Sequence, residues 1–471
     1  DGLTWSNGSP TINSAVIFAG DYTSSGDLYA CSVQIDSGNI VFGDALTNPS
    51  HSLIIQNGLS ILGGTLTFEN NASLVQVNNA ANSGSITYKR NSTPIRIYDY
   101  TYWSSPVDLQ ILSNFSPSTL SDKYFWFNTA IYNWDAVVIP ALTPMDIGKG
   151  YIIRAPQTFD PVATAIFNGA FNGVPNNGDY SVNIVKNGIN DLNCIGNPYP
   201  SAINAKEFIE ENTAAFGLVN PGTTLYFWTH NTAITNNLYT FDDYATYNFT
   251  GGVGTGASAA GVNNASPNGM IAAGQSFMVK GMIEGTTTAT FKNSMREIGN
   301  NTQFFRTHQS EDNTKNRVWL ELKNNQGIYK QLLLGYLQNA TDGFDNGYDG
   351  EVLEAGNSAS FYSILDTKKL AIQGRSNNFN VTDQIALGFN STLAGNFELH
   401  LSDFDGLFEN QEIYIEDTFT NIIHNLKESD YTFATDAGTF DNRFVLRFSS
   451  SNLGIFNPTL NPNAIIIYKN L

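Results

Sequence analysis

Few of the side chains that carry most enzyme chemistry occur in this chain. Its 471 residues contain five histidines, His51, His230, His308, His400 and His424, with no paired metal-ligand spacing among them. No Gly-x-Ser-x-Gly, P-loop or dinucleotide fingerprint is present, so zinc, nucleophilic and phosphate chemistry lack a positive signal. Two cysteines exclude a disulfide-dense scaffold; Cys31 and Cys194 lie far apart in sequence and are read as free, buried thiols. Basic residues are scarce as well. Lys and Arg number 23 against 42 Asp and Glu, a formal net charge of −19, which opposes nucleic acid and anionic membranes as partners. No apolar run approaches transmembrane length. The chain begins at Asp1 without a basic start or an apolar leader core, as expected after signal-peptide removal or for a piece of a longer protein.

Aromatic residues make up 13% of the chain against only 14% charged, and Gly, Asn, Ser and Thr separate short apolar runs. That composition is all-β, and the length points to two to four domains. From Ala15 to Val77 the runs are about three residues long, as in Val33-Gln-Ile35, Leu53-Ile-Ile55 and Leu66-Thr-Phe68, with Gly/Asn corners between them. Such runs are too short for hairpin meanders. They fit the rungs of a β-solenoid, with an ordinary sandwich as the alternative.

Between Thr93 and Arg296 four landmarks occur twice in the same order. Tyr102-Trp-Ser-Ser-Pro-Val107 answers to Ile195-Gly-Asn-Pro-Tyr-Pro-Ser201, and Tyr124-Phe-Trp-Phe-Asn128 to Tyr226-Phe-Trp-Thr-His230. Met145-Asp-Ile-Gly-Lys-Gly-Tyr151 answers to Met270-Ile-Ala-Ala-Gly-Gln-Ser276, and Ala165-Ile-Phe-Asn-Gly169 to Ala289-Thr-Phe-Lys-Asn293. A duplicated β unit is expected, the second copy carrying a Gly/Ala/Asn-rich insertion from Asp242 to Pro267. Asn197-Pro-Tyr-Pro200 restricts its own backbone, so it reads as a rigid corner into the next strand. Ser201 to Glu211 is the best helix candidate, with Ser201 as its cap.

Alternation returns after Asn316, in Val318-Trp-Leu-Glu-Leu322 and Phe444-Val-Leu-Arg-Phe448 among others, and reads as a β-sandwich. The expected organisation is therefore a β-solenoid-like segment at 1–92 and a duplicated jelly-roll or Ig-like sandwich at 93–310, with halves near 93–175 and 188–296. A further sandwich at 311–450 and a linker with the first strand of another domain at 451–471 follow.

Candidate chemistry is sparse. Asp242-Asp243 beside Tyr244 and Tyr247 is the most tempting carboxylate pair for a hydrolase. Asp342, Asp345, Asp349 and Glu351 crowd one Gly-punctured loop and form a candidate calcium site, although their spacing is not that of an EF-hand. Trp103, Trp126, Trp134 and Trp228 suit sugar stacking if exposed; three of them belong to the repeated landmarks, which favours core packing.

Tyr98-Asp-Tyr-Thr-Tyr-Trp-Ser-Ser-Pro-Val107, Gly148-Lys-Gly-Tyr-Ile-Ile-Arg154, Ile195-Gly-Asn-Pro-Tyr-Pro-Ser201, Ala273-Gly-Gln-Ser-Phe-Met-Val279 and Asn442-Arg-Phe-Val-Leu446 together give the chain a resemblance to a known class. It resembles large exported proteins of Bacteroidota that carry a C-terminal type IX secretion sorting domain. The likeness implies export through the type IX translocon and residence at the cell surface or in the medium, with most of the sorting domain missing after Ala464-Ile-Ile-Ile-Tyr468. It carries no catalytic residues with it. The expected role is non-catalytic, structural or adhesive, with polysaccharide or other surface proteins as partners and no cofactor beyond the candidate calcium. A secreted polysaccharide-acting enzyme or carbohydrate-binding module is the alternative.

Overall fold

The computed structural model describes residues 5–217, 222–230, 239–256, 266–301, 315–354 and 356–450. His308, residues 257–265 of the expected insertion, the end of the second aromatic landmark at 231–234 and the expected linker and strand at 451–471 lie outside them. The fold is nearly all β, with 48% strand and 5% helix, as the composition dictates.

The first strands are short and pair in parallel with strands one turn of chain later. Val16 lies against Val33 and Val33 against Leu59; Tyr22 against Ile40 and Ile40 against Leu66; Leu28 against Leu53 and Leu53 against Leu74. Three ladders run side by side, because most apolar runs bury two alternate side chains, as Val33 and Ile35 or Leu66 and Phe68, and then meet a Gly or Asn corner. Inside them, rings follow one another from strand to strand: Tyr22 tilts against Phe42 at 5.9 Å, Phe42 stacks on Phe68 at 5.4 Å and Phe68 tilts against Tyr88 at 5.8 Å. One corner is stacked glycine. Gly38 has φ +94, and a Cβ there would stand 2.2 Å from the carbonyl carbon of Gly20, so only glycine fits.

The strand Ile86–Ile95 leaves the last rung and carries the chain across position 92. One apolar cluster continues with it, from Val16 and Phe18 in the first rungs to Trp103, Phe115, Tyr124 and Phe171 beyond.

Two antiparallel sheets follow with the same strand order. In the first, Tyr100–Trp103, Tyr151–Arg154, Tyr124–Asn128 and Asn133–Ala136 lie side by side in that order. In the second the order is Leu192–Gly196, Ser276–Lys280, Leu225–Trp228 and Tyr244–Tyr247, with Gly252–Val253 added at the edge. Contacts between the sheets are reciprocal. The Ser104 amide donates to the Gly274 carbonyl and the Gly196 amide to the Gly148 carbonyl, each at 2.9 Å, while Trp103 bridges Gln275 and Ile195 bridges Lys149. Gly148 and Gly274 share φ +75. Between the sheets Tyr102 and Ile152 pack with Leu192, Cys194, Tyr226 and Met278.

One landmark is out of step. Phe125 pairs with Ile152 and Tyr226 with Met278, so register equates Phe125 with Tyr226, one position away from the match that the shared Tyr-Phe-Trp suggests. The expected helix is also shorter than 201–211. It runs Ala205–Glu211, and Asn204, not Ser201, caps it by accepting from the Lys206 and Glu207 amides. Ser201 is excluded because it lies in the buried bend that ends the preceding corner, and the strand Ala202–Asn204 separates it from the helix.

From Asn316 to Arg447 the strands join one eleven-stranded sheet. It curls until its ends, Ile422–Asn425 and Tyr431–Thr435, nearly meet: the His424 and Tyr431 rings are 5.5 Å apart. Alternation alone does not separate two packed sheets from one near-closed, barrel-like sheet; strands of up to ten residues have enough twist to accumulate for the second. Val318, Leu334, Phe389 and Phe444 fill its interior.

Candidate functional site

The loop expected to gather four carboxylates around one cation distributes them instead. Asp342 stays at the surface, 3.4 Å from the Arg375 guanidinium. Asp345 accepts the Thr341 amide at 2.6 Å. Asp349 is buried and accepts the Asp345 amide at 2.6 Å and the Gly374 amide at 2.9 Å. Glu351 lies between two ammonium groups, Lys280 at 2.8 Å and Lys368 at 2.7 Å. Among the described residues no three His, Cys, Asp or Glu side chains meet in a geometry that could hold a metal ion. Burial pushes the Asp349 carboxyl up to about 7, with the Asp345 charge adding to the shift. At Glu351 desolvation also pushes upward, but the two lysines outweigh it and hold the group below the usual glutamate range.

The loop acts as a latch. Its carbonyls are taken up by the second sheet and the turn beyond it: Thr224 donates to Asp349 at 2.9 Å, Tyr226 to Glu351 at 3.3 Å, Thr250 to Tyr348 at 2.7 Å and the Phe249 amide to Gly347 at 2.9 Å. Lys280 belongs to the second sheet and Lys368 to the curved one, so Glu351 ties the two together. Sequence reading missed both lysines, which stand at strand ends, Lys280 closing Ser276–Lys280 and Lys368 opening Lys368–Ser376.

The same interface holds Asp242. Its carboxylate pairs with Lys330 and accepts the Ser358 amide and hydroxyl, both at 2.9 Å. Asp242 is 7% exposed and borders a cavity of about 50 Å³ walled by Tyr226, Tyr244, Tyr329, Gln331 and Asn357. A second cavity of about 20 Å³ borders Tyr226, Lys280, Asp349 and Glu351. Spaces of this size hold a water or two, not a sugar ring. Asp243, the other half of the expected pair, gives its carbonyl to the Thr229 amide at 2.8 Å and hydroxyl at 2.9 Å, closing the turn Phe241–Asp243.

The Asn-Pro-Tyr-Pro corner is buried at the other joint, against the parallel ladders. The Asn197 amide nitrogen reaches the carbonyls of Ser201, Ile271 and Ala272 at 2.8, 3.0 and 3.1 Å, and its oxygen accepts from the Tyr199 amide. The Leu74 amide donates to the Pro200 carbonyl at 2.8 Å. Arg296 sits 4.8 Å from the Tyr199 ring centroid and donates to the Leu74 carbonyl at 2.5 Å, and Asn301 reaches Ala72 at 2.8 Å. Neither Arg296 nor Asn301 stood out in the sequence.

The four tryptophans line the sheets. Trp103 is buried edge-on to Phe115, Lys149 covers Trp126 at 4.4 Å, Trp134 meets Tyr102 edge-on at 5.3 Å, and Trp228 stacks on Tyr102 at 5.7 Å. The described histidines have separate partners: His51 with Ser24, His230 with Thr93, His400 with Asp430 and His424 with Ser429. Cys31 and Cys194 are unpaired thiols, and burial pushes Cys194 up to about 12.

No curated protein and no solved structure matches the chain. A family model does, over residues 2–448, so it runs through the parallel ladders, both facing sheets and the curved sheet alike. The chain belongs to the family described as a domain of unknown function, DUF8693.

Proposed function

We propose that this is an exported, non-catalytic contact protein: a β-solenoid of short coils bearing a duplicated β-sandwich and a terminal β module, acting by adhesion at a cell surface or in the medium. The observation that carries the reading is the use made of the buried and half-buried charged groups. Asp242, Glu351 and Arg296 each join one part of the chain to another, where a reaction centre would leave such groups facing a substrate-sized space. The matching strand order and reciprocal bonds of the two facing sheets support a duplication. The three parallel ladders support the solenoid.

Export through the type IX translocon rests on the resemblance of the five motifs to exported Bacteroidota proteins. Fractionation tests it: in cells lacking the translocon the full gene product should collect in the periplasm, and unchanged appearance at the surface contradicts the route. For the contact reading, the purified chain is incubated with a panel of polysaccharides. Binding without release of reducing ends is expected.

A second reading, a secreted polysaccharide-acting enzyme, is favoured by one feature, Asp242 and Lys330 beside the Tyr226 and Tyr244 rings at the larger cavity. Release of reducing ends that Asp242→Asn abolishes would establish it.

A further inference from the structure

Most tyrosines of the two facing sheets are buried, as Tyr102, Tyr124, Tyr151 and Tyr226 are. Tyr98 and Tyr239 depart from that pattern, being 48% and 44% exposed. They come from segments 141 residues apart, and the Tyr239 hydroxyl donates to the Tyr98 carbonyl at 2.7 Å, which fixes one beside the other. Behind them the Tyr239 ring stands edge-on to Tyr100 at 5.5 Å and tilts against Trp228 at 6.5 Å, so its orientation is set by packing. The Arg154 guanidinium backs the Tyr98 ring at 5.8 Å from its centroid. Arg154 is itself buried, and its Nε has no hydrogen-bond partner. Its Nη2 donates to the Gln157 side-chain oxygen at 2.6 Å, which leaves the exposed Gln157 amide nitrogen as a donor toward solvent.

We propose that this shelf, Tyr98 and Tyr239 flanked by Arg154 and Gln157, is a stacking site for a neutral polysaccharide of β-linked pyranose units. The inference rests on the contact reading above and deepens it by naming the place and the ligand class. Rings held rigid from behind lose little entropy on binding, and the C–H face of a pyranose covers an aromatic ring while its hydroxyls take the planar amide donor of Gln157. Charge selects against acidic glycans, since the chain carries −19 overall.

The test uses the full chain in co-sedimentation with insoluble cellulose, xylan and chitin, and in affinity electrophoresis through soluble laminarin and alginate. The parent should bind at least one neutral polymer and not alginate. The Tyr98→Ala/Tyr239→Ala double variant should bind at least about tenfold more weakly, a loss of about 1.4 kcal/mol. Gln157→Glu, which keeps an acceptor for Arg154 and removes the amide donor while leaving both rings in place, should weaken binding severalfold. Binding by the parent that both variants retain within twofold overturns the shelf while leaving the contact reading intact. Failure of the parent to bind any of the polymers overturns the polysaccharide form of that reading and the shelf with it, and preference for alginate overturns the neutral-ligand assignment.

Discussion

Asn197 holds three buried carbonyls within bonding distance of one amide nitrogen, so its work is disproportionate to its size. Replacing it by alanine takes that donor from all three carbonyls in a place water does not reach, although Ala272 keeps the Gln275 amide at 3.2 Å. Asn197→Ala is expected to cost about 3 kcal/mol, read as a lower denaturation midpoint, and Asn197→Asp to fare no better because a carboxylate cannot donate. A loss below about 0.5 kcal/mol would show the corner to be held by its prolines alone. Asp349 offers a pH signature at the same scale. Its carboxyl is raised to about 7 in the folded chain from 3.8, so the folded state binds the proton more tightly than the unfolded one. The stability this contributes is complete below the unfolded value and is lost as pH rises through the folded one. Thermal melts at pH 5 and pH 8 should therefore differ less in Asp349→Asn than in the parent; an equal difference would mean that Asp349 titrates normally.

At the scale of elements, the acidic loop shows where sequence reading stops. Its density of Asp and Gly was plain, and so was the chemistry such a loop offers a hard cation. What it does depends on Lys280, Thr224 and Lys368, which the fold brings from other strands, and no local pattern names them. Since Glu351 already has two ammonium partners and Asp349 two backbone amides, calcium has little to gain there. Millimolar calcium should shift the melting temperature by less than about 1 °C, whereas Glu351→Gln should lower it by several degrees. A calcium-dependent rise that Glu351→Gln removes would restore the loop as a cation site. The repeated landmarks were legible for a different reason: both sheets place the last of their landmark strands between the first and the second, so a common sequence order reappears as a common order in the sheets. The one-residue offset at Phe125 and Tyr226 was not legible, because Tyr, Phe and Trp all suit either face of a strand and side-chain identity does not fix register.

For the molecule as a whole, the all-β character was legible because short apolar runs, Gly/Asn corners and abundant aromatics agree at every level. Assembly was less so, since it rests on a few buried charged and polar side chains between distant segments. Val16 and Trp103 share one apolar cluster, Arg296 ties the Asn-Pro-Tyr-Pro corner to Leu74, and Arg317 pairs with Asp405 while donating to the Thr250 carbonyl at 3.2 Å. With joints of this kind on both sides of the facing sheets, calorimetry of the full chain should give one dominant unfolding transition; well-separated transitions would mean that the parts hold together only loosely. The central claim, that buried charges build joints and not a reaction centre, is tested most directly at Asp242. Polysaccharide reducing-end release and the melting temperature are measured together for the parent and for Asp242→Asn. Loss of the charge leaves Lys330 unpaired in a buried setting, so the account predicts no release by either protein and a melting temperature lowered by more than about 5 °C in the variant. Release by the parent that the variant lacks, at an unchanged melting temperature, would contradict it.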